Sequence, residues 1–307
     1  MAGKLPDELM FLVNARATQK RTDATAAGKV CVVTGATSGV GLQAARRLAQ
    51  GGASLVLLCR NAEKGSAVGR SIEEEFHVPV DVVVADFTRL DTVRSAAAEI
   101  LDRHPRLDVL VNNAGMHSTK RTFTPEGYET VLCVNHLAPF LLTRLLLPRL
   151  MESGSARIVD VSSEGHRFCA FDPDDLGWKK RHYTGLRSYG ASKTAQLLTV
   201  WEFADRLLGT GTTIVAAHPG DVRTNIGGNN GWLYRGFSKL VTDRFLKDAS
   251  RSGEAIYYLS VAPEMQGISG LFYHLTIEEV PMKHAMDRSL SKRVWEQSSR
   301  LTALPVD

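Results

Sequence analysis

Cysteine is scarce: Cys31, Cys59, Cys133 and Cys169 are the only four in 307 residues, and no two form a Cys-x-x-Cys pair. That excludes a disulfide framework and a cysteine-based zinc site; it predicts free thiols in a reducing compartment and no metal. Long apolar runs are also missing near the start. The longest within residues 1–28 covers 9–13, far short of the ~20 residues a membrane span needs. With no signal-peptide core either, the expectation is a cytoplasmic protein without a transmembrane segment, in which residues 5–13 form a short amphipathic helix on the domain or on a surface. Nor is charge of one sign concentrated: 37 basic and 33 acidic residues are spread along the chain, without the basic stripe that a nucleic-acid backbone requires. No repeat and no linker rich in Pro, Gly or Ser divides the sequence, so residues 29–307 read as one domain behind an extension at 1–28.

What is present is an ordinary globular composition, 44% hydrophobic and 23% charged, enough to bury a sizeable core. From Lys29 onward, short runs of Val, Leu and Ile alternate with longer stretches of helical periodicity. Strands are predicted at 30–33, 55–58, 80–84, 109–111, 158–161, 214–217 and 270–273, and helices at about 40–51, 63–76, 89–104, 126–151, 187–208 and 250–261. This alternation predicts a doubly wound, Rossmann-type α/β fold of about seven parallel strands with helices on both faces. Two connections, 164–186 and 225–248, exceed ordinary βα loops and carry aromatics, the kind of loop that receives ligands beyond strand ends.

The first strand runs into Thr34-Gly35-Ala36-Thr37-Ser38-Gly39-Val40-Gly41 and then directly into a helix-forming stretch. Gly35 permits a tight turn, Gly39 a close backbone approach to a pyrophosphate, and Gly41 close packing of the helix. The helix N-terminus adds a field that favours an anion. The alternative is a purely structural turn. Thr37, Ser38 and Val40 complete the expected dinucleotide-binding loop.

The Thr-Gly-x-x-x-Gly-x-Gly spacing resembles the short-chain dehydrogenase/reductases. Further motifs carry the resemblance across residues 29–273: Asn112-Asn113-Ala114-Gly115 after the fourth strand, Ser162-Ser163 after the fifth, Tyr189-Gly190-Ala191-Ser192-Lys193, and Pro219-Gly220-Asp221-Val222-Arg223-Thr224. The resemblance implies that Asp86 with Phe87 meets the adenine region, that Asn113, Ala114 and Gly115 line the cofactor, and that Pro219, Gly220, Val222 and Thr224 close over its carboxamide end. It assigns catalysis to Asn135, Ser163, Tyr189 and Lys193. Reducing a carbonyl leaves its oxygen needing a proton, so Tyr189 is the expected acid. Lys193, four residues on and on the same helical face, is expected to lower the Tyr189 pKa together with an oxidised nicotinamide, and to hold the nicotinamide ribose. Ser163 is expected to bond the substrate oxygen and Asn135 to relay protons through Lys193; a buried phenol and a helix-bending asparagine are the plainer alternatives. His218 reads as a hydrogen-bonded structural histidine.

After the second strand stand Cys59-Arg60-Asn61. With no carboxylate there to repel a 2′-phosphate and Arg60 available to pair with one, NADP(H) is expected over NAD(H), unless Arg60 is only a solvated surface residue. Within the family, the long 164–186 insertion, the Cys59-Arg60-Asn61 ending and the Asn135-to-Thr143 segment are similar to retinol-dehydrogenase-like members. These imply a lipophilic aldehyde or ketone as substrate. Phe168, Phe171, Trp178, Tyr183, Trp232, Leu233, Tyr234 and Phe237 are the expected walls of an apolar pocket, or else the loops' own packing. The resemblance also implies a homodimer or homotetramer formed through the helices at about 126–151 and 187–208. A non-catalytic NADPH-binding sensor is the alternative function.

Overall fold

Strands that are apolar on both faces need helices on both sides, and the computed structural model, which describes residues 10–14, 17–169, 171–220 and 242–306, supplies them. The strands are β1 (Val30–Thr34), β2 (Ser54–Cys59), β3 (Val80–Val84), β4 (Val109–Asn112), β5 (Arg157–Val161), β6 (Thr213–His218), β7 (Phe272–His274) and β8 (Ile277–Glu278). They lie in the order β3-β2-β1-β4-β5-β6-β7-β8. The first seven are parallel, and β8 turns back antiparallel on β7. About seven strands were expected; the eighth is a two-residue return too short to leave a pattern. Strand order reverses between β1 and β4, and the crevice beyond their C-terminal ends is where such sheets bind ligands.

The helices are α1 (Phe11–Asn14), α2 (Gly39–Gln50), α3 (Ala62–Phe76), α4 (Leu90–Arg103), α5 (Thr130–Leu132), α6 (Ala138–Glu152), α7 (Gly185–Arg206), α8 (Thr242–Val261) and α9 (Arg288–Leu301). Alternate residues of β1 serve the two faces: Cys31 and Val33 pack with α2, α3 and α8, while Val32 packs in the larger core with α4, α6, α7 and α9. The 225–248 connection is shorter than expected, since helix has begun by Thr242. Trp232, Leu233, Tyr234 and Phe237 lie outside the described residues, as do Val222 and Thr224.

The long helix expected at 126–151 starts instead at Thr130 and widens into a π turn at Cys133–Leu137. Ala138 N–H there bonds the Cys133 carbonyl five residues back. Pro139 has no N–H to give the carbonyl of Asn135, so the regular ladder is broken beside that residue. Thr130–Glu152 is long and apolar enough to cross a membrane, but 83% of its apolar window is buried inside the protein. It is a core helix.

Two elements fix the surroundings of the site. Glu129, 1% exposed, accepts the N–H groups of Val131 (3.0 Å) and Leu132 (2.8 Å) and the hydroxyls of Ser188 (3.2 Å) and Tyr183 (3.4 Å). It thereby ties α5 to the start of α7 and to the 164–186 connection. Helix α9 lies over α6 and α7, with Trp295 edge-on to Phe140 (5.1 Å) and Phe203 (4.8 Å) and the Ser298 hydroxyl 2.6 Å from His136 Nε2. The surface expected to pair subunits is therefore occupied by the chain's own last helix. At the other end, residues 17–28 pack back onto the domain: Lys20 N–H reaches the Thr276 hydroxyl at 2.8 Å, and the Tyr257 hydroxyl donates to the Ala24 carbonyl at 2.5 Å.

Candidate active site

Gly35 and Gly39 hold the left-handed conformation, at φ 66° and 56°, which glycine adopts without strain. The space around the loop is equally restrictive. A Cβ on Gly41 would lie 2.3 Å from Asn113 Nδ2 and 2.5 Å from the Gly35 carbonyl oxygen. Thr34 Oγ1 accepts the N–H groups of both Asn113 and Ala114 at 2.9 Å, and Asn113 Nδ2 donates to the Thr34 carbonyl at 2.9 Å. Asn113, expected at the cofactor, thus has its amide committed to bracing the loop, with Ala114 and Gly115 continuing along it.

Ser38 precedes α2 without capping it through its side chain, and both Ser38 and Gly39 are exposed while Thr37 is half-buried and Val40 is buried beneath. An exposed helix N-terminus behind a glycine cradle fits a pyrophosphate. At the end of β2, Arg60 is exposed and makes no hydrogen bond or ion pair among the described residues. Asn61 caps α3, its side-chain oxygen accepting Lys64 N–H at 2.8 Å. Asp86 Oδ1 accepts from the Thr88 N–H and hydroxyl, and the neighbouring Phe87 is buried. The residues present fit a dinucleotide.

Ser163 and Tyr189 come together at the C-terminal end of β5. Gly165 sits between them, so tightly that a Cβ there would lie 2.9 Å from Tyr189 Cε1 and 3.4 Å from Ser163 Oγ. Ser163 Oγ accepts Gly165 N–H at 3.0 Å, and the His117 ring stands edge-on to Tyr189 at 5.9 Å. Lys193 is 3% exposed; its ammonium donates to the Val161 carbonyl at 2.8 Å and to Gln196 Oε1 at 3.2 Å.

Burial lowers the Lys193 pKa to about 8, and the charge of Asp160 opposes the fall. Burial likewise pushes the Asp160 carboxyl up to about 6, against its hydrogen bond from Asn112 and the attraction of Lys193. Burial raises the Tyr189 pKa, and the Ser163 hydroxyl beside it pulls the other way. The Lys193 ammonium is tethered to β5 and Gln196, 6.0 Å from the centre of the Tyr189 ring.

Asn135 is fully buried and clamps the chain after Gly115. It accepts Met116 N–H at 2.7 Å and donates to the Met116 carbonyl at 2.9 Å and to Ser192 Oγ at 3.0 Å. Both ends of its amide are committed to these bonds, so the side chain positions the segment. Asp160, Asn112 and Gln196 around Lys193 were not singled out in the sequence. Asp160, three residues before Ser163 in an apolar strand, was the one visible signal.

At the edge of the site, Gly220 has φ 86°, and the Pro219 carbonyl accepts the Ser252 hydroxyl. His218 is not hydrogen-bonded as expected: neither ring nitrogen has a partner among the described residues. In the long loop, Trp178 is only 2% exposed. The Arg181 guanidinium lies 4.1 Å above its ring and Tyr183 is edge-on at 6.0 Å. It is the loop's own core, held by Asp175, which accepts the N–H groups of Lys179, Lys180 and Arg181. Phe168 is 58% exposed and Phe171 half-buried.

Comparison with known proteins agrees with this geometry. A family model described as short chain dehydrogenase matches residues 29–231. Retinol dehydrogenase 13 of Homo sapiens is 36% identical over 286 residues, spanning 92% of this chain and 86% of its own length. A crystal structure of an uncharacterised protein from Mycobacterium paratuberculosis has a TM-score of 0.76 at 30% identity, covering 94% of this chain and 100% of that one. L-sorbose reductase from Gluconobacter frateurii, solved with NADPH and L-sorbose, has a TM-score of 0.65 over 82% of this chain and 96% of its own; at 22% identity that likeness is one of fold.

Substituting Gly41→Ala forces Asn113 and the Gly35 carbonyl apart. The expected cost is about 1–3 kcal/mol of overpacking, with a loss of at least roughly tenfold in NADPH affinity by isothermal titration calorimetry. Wild-type affinity in the variant would show that the cradle is not the phosphate site.

Proposed function

Because the chain belongs to the short-chain dehydrogenase family, we propose that it is an NADP(H)-dependent oxidoreductase interconverting a lipophilic aldehyde or ketone and its alcohol. The observation that carries this reading is the meeting of Ser163, Tyr189 and Lys193 at the end of β5, in the same sheet crevice as the glycine loop.

When bound, the cofactor supplies a hydride to the carbonyl carbon. The Tyr189 hydroxyl donates a proton to the carbonyl oxygen as negative charge develops there, and the Ser163 hydroxyl donates a hydrogen bond to the same oxygen. Lys193, while charged, stabilises the tyrosinate left behind and offers donors to a ribose. Asn135 keeps the Met116 segment seated beside this group, with Ser192 as the link to α7. Arg60 favours a 2′-phosphate, since it is exposed, has no partner among the described residues, and follows a strand end that carries no carboxylate.

A lipophilic substrate is supported by the exposed Phe168 and half-buried Phe171 at the insertion, and by relatives named as retinol dehydrogenases. The four free thiols support a cytoplasmic setting. Since α9 covers α6 and α7, a homodimer or homotetramer would have to use a different surface.

Incubation with NADPH and a panel of carbonyls, followed at the nicotinamide absorbance band, is expected to show turnover that favours lipophilic aldehydes or ketones over small sugars. Tyr189→Phe should lower kcat by at least about a thousandfold while NADPH affinity stays within a few fold. NADPH binding with no turnover on any carbonyl would favour the sensor reading.

The pH dependence of kcat/KM follows from Lys193. The ammonium is present below about 8, so activity should fall as pH rises through that value. Asp160→Asn removes the negative charge that holds the ammonium on, and should move the fall to lower pH; an unshifted profile would uncouple the two groups.

Arg60→Asp should swap preference toward NADH, raising KM for NADPH by about ten- to a hundredfold as a charge-assisted pair is lost and a repulsion gained. Unchanged selectivity in a side-by-side kinetic comparison would exclude Arg60 as the determinant.

A further inference from the structure

Behind the Ser163 turn lies a second polar cluster that the reaction does not use. Glu164 lies three residues beyond the end of β5, His218 ends β6 and His274 ends β7, with the two histidines paired in register on adjacent parallel strands. His218 is 7% and His274 2% exposed, their rings 4.9 Å apart. Four polar atoms here have no hydrogen-bond partner among the described residues: Glu164 Oε1, both ring nitrogens of His218, and His274 Nδ1. One nitrogen or oxygen from each of the three residues falls within 4.8 Å of the others. Buried polar groups are ordinarily satisfied, so four orphaned atoms converging on one point call for an occupant.

The charge balance indicates its sign. Glu164 and Glu279 both pair with the single guanidinium of Arg167. Glu279 Oε2 and Glu164 Oε1 each lie 3.7 Å from His274 Nδ1, beyond hydrogen-bond length. Among the described residues the two carboxylates share one guanidinium, so carboxylate oxygen faces the point where the orphaned atoms converge. Both ring nitrogens of His218 are without a hydrogen-bond partner among the described residues, and a neutral imidazole nitrogen is a metal donor. The neighbouring His166 is different: its Nδ1 lies 2.7 Å from the Ser163 carbonyl oxygen and its Nε2 accepts Met282 N–H at 3.4 Å. It is not part of the cluster.

We propose that Glu164, His218 and His274, with water as the fourth ligand, hold a divalent transition-metal cation of the zinc class, which ties the chain beyond β5 to the ends of β6 and β7 behind the catalytic serine. Two imidazoles and one carboxylate suit such an ion, and tetrahedral coordination at ~2.0–2.2 Å asks the ligand atoms to sit about 3.4 Å apart. Side-chain rotation closing separations of at most 4.8 Å by up to about 1.4 Å reaches that spacing. The ion would fix the turn that carries Ser163 relative to Pro219 and Gly220, so its role is one of positioning.

The test uses the full chain, stripped with a chelator and dialysed against micromolar zinc chloride, with bound metal measured by mass spectrometry. One equivalent per chain is expected, together with a rise in thermal midpoint of about 2–4 °C. Cobalt in place of zinc should give the visible bands of a four-coordinate ion. Glu164→Gln, which keeps the side-chain volume, and His274→Ala should each lower metal affinity by at least about a hundredfold, while Tyr189→Phe, expected to stop turnover, should bind the full equivalent. Circular dichroism confirms that each variant is folded. Substoichiometric metal in the wild type, or an equivalent that survives Glu164→Gln, overturns the site; a high-resolution crystal structure grown with zinc and showing only ordered water among the three side chains does so as well. None of these readouts depends on turnover, so the outcome is separable from the proposed reaction.

Discussion

The hydroxyl of Thr34 accepts hydrogen bonds from two consecutive backbone N–H groups, those of Asn113 and Ala114, across the point where strand order reverses. Parallel strands on either side of that point would otherwise diverge into separate loops. By joining the end of β1 to the end of β4, Thr34 sets the separation of the glycine turn and the Met116 segment, and Asn113 reinforces it from the opposite side with bonds to the Thr34 and Gly35 carbonyls. Asn135 then grips Met116 from the π turn, and Ser192 passes that restraint to α7, where Tyr189 and Lys193 stand. The glycine loop and the helix that carries Tyr189 and Lys193 are thus two ends of one hydrogen-bonded chain. Their relative position is a property of the sheet, which no flexible loop has to determine.

The balance of charge within this chain of contacts is equally constrained. Lys193 and Asp160 are both buried, and each moderates what burial does to the other. The influence is mutual, the carboxylate holding the ammonium charged and the ammonium holding the carboxyl ionised. Val161 and Gln196 supply acceptors that keep the ammonium satisfied, at the cost of holding it away from the Tyr189 ring. The tyrosine therefore begins as a firmly protonated acid, a suitable starting state for giving a proton to a carbonyl oxygen.

Much of this was legible because the signals are local. The glycine turn is eight consecutive residues with one backbone solution, and Tyr189 and Lys193 lie four apart on one helix, so spacing alone puts them on one face. Features that depend on distant partners were not legible. Asn135 could be located, but that its amide grips Met116 depends on a partner nineteen residues away in sequence. Trp178 reads equally well as pocket wall or loop core until Arg181 and Asp175 are seen around it. Glu164, His218 and His274 come from three separate strand ends, and no sequence spacing could reveal that the sheet brings them to one point. β8 is two residues long, below the length at which any alternation shows.

The placement of α9 bears on how the site keeps its shape. His136 and Phe140 flank the π turn that carries Asn135, and both are completed by side chains of the final helix, Ser298 and Trp295. The stiffness of this region is thus borrowed from a helix that lies far along the chain from the π turn it supports. Elements open locally with free energies of their own, so fraying of α9 would loosen the turn that holds Asn135 while leaving the glycine loop, braced separately through Thr34 and Asn113, in place.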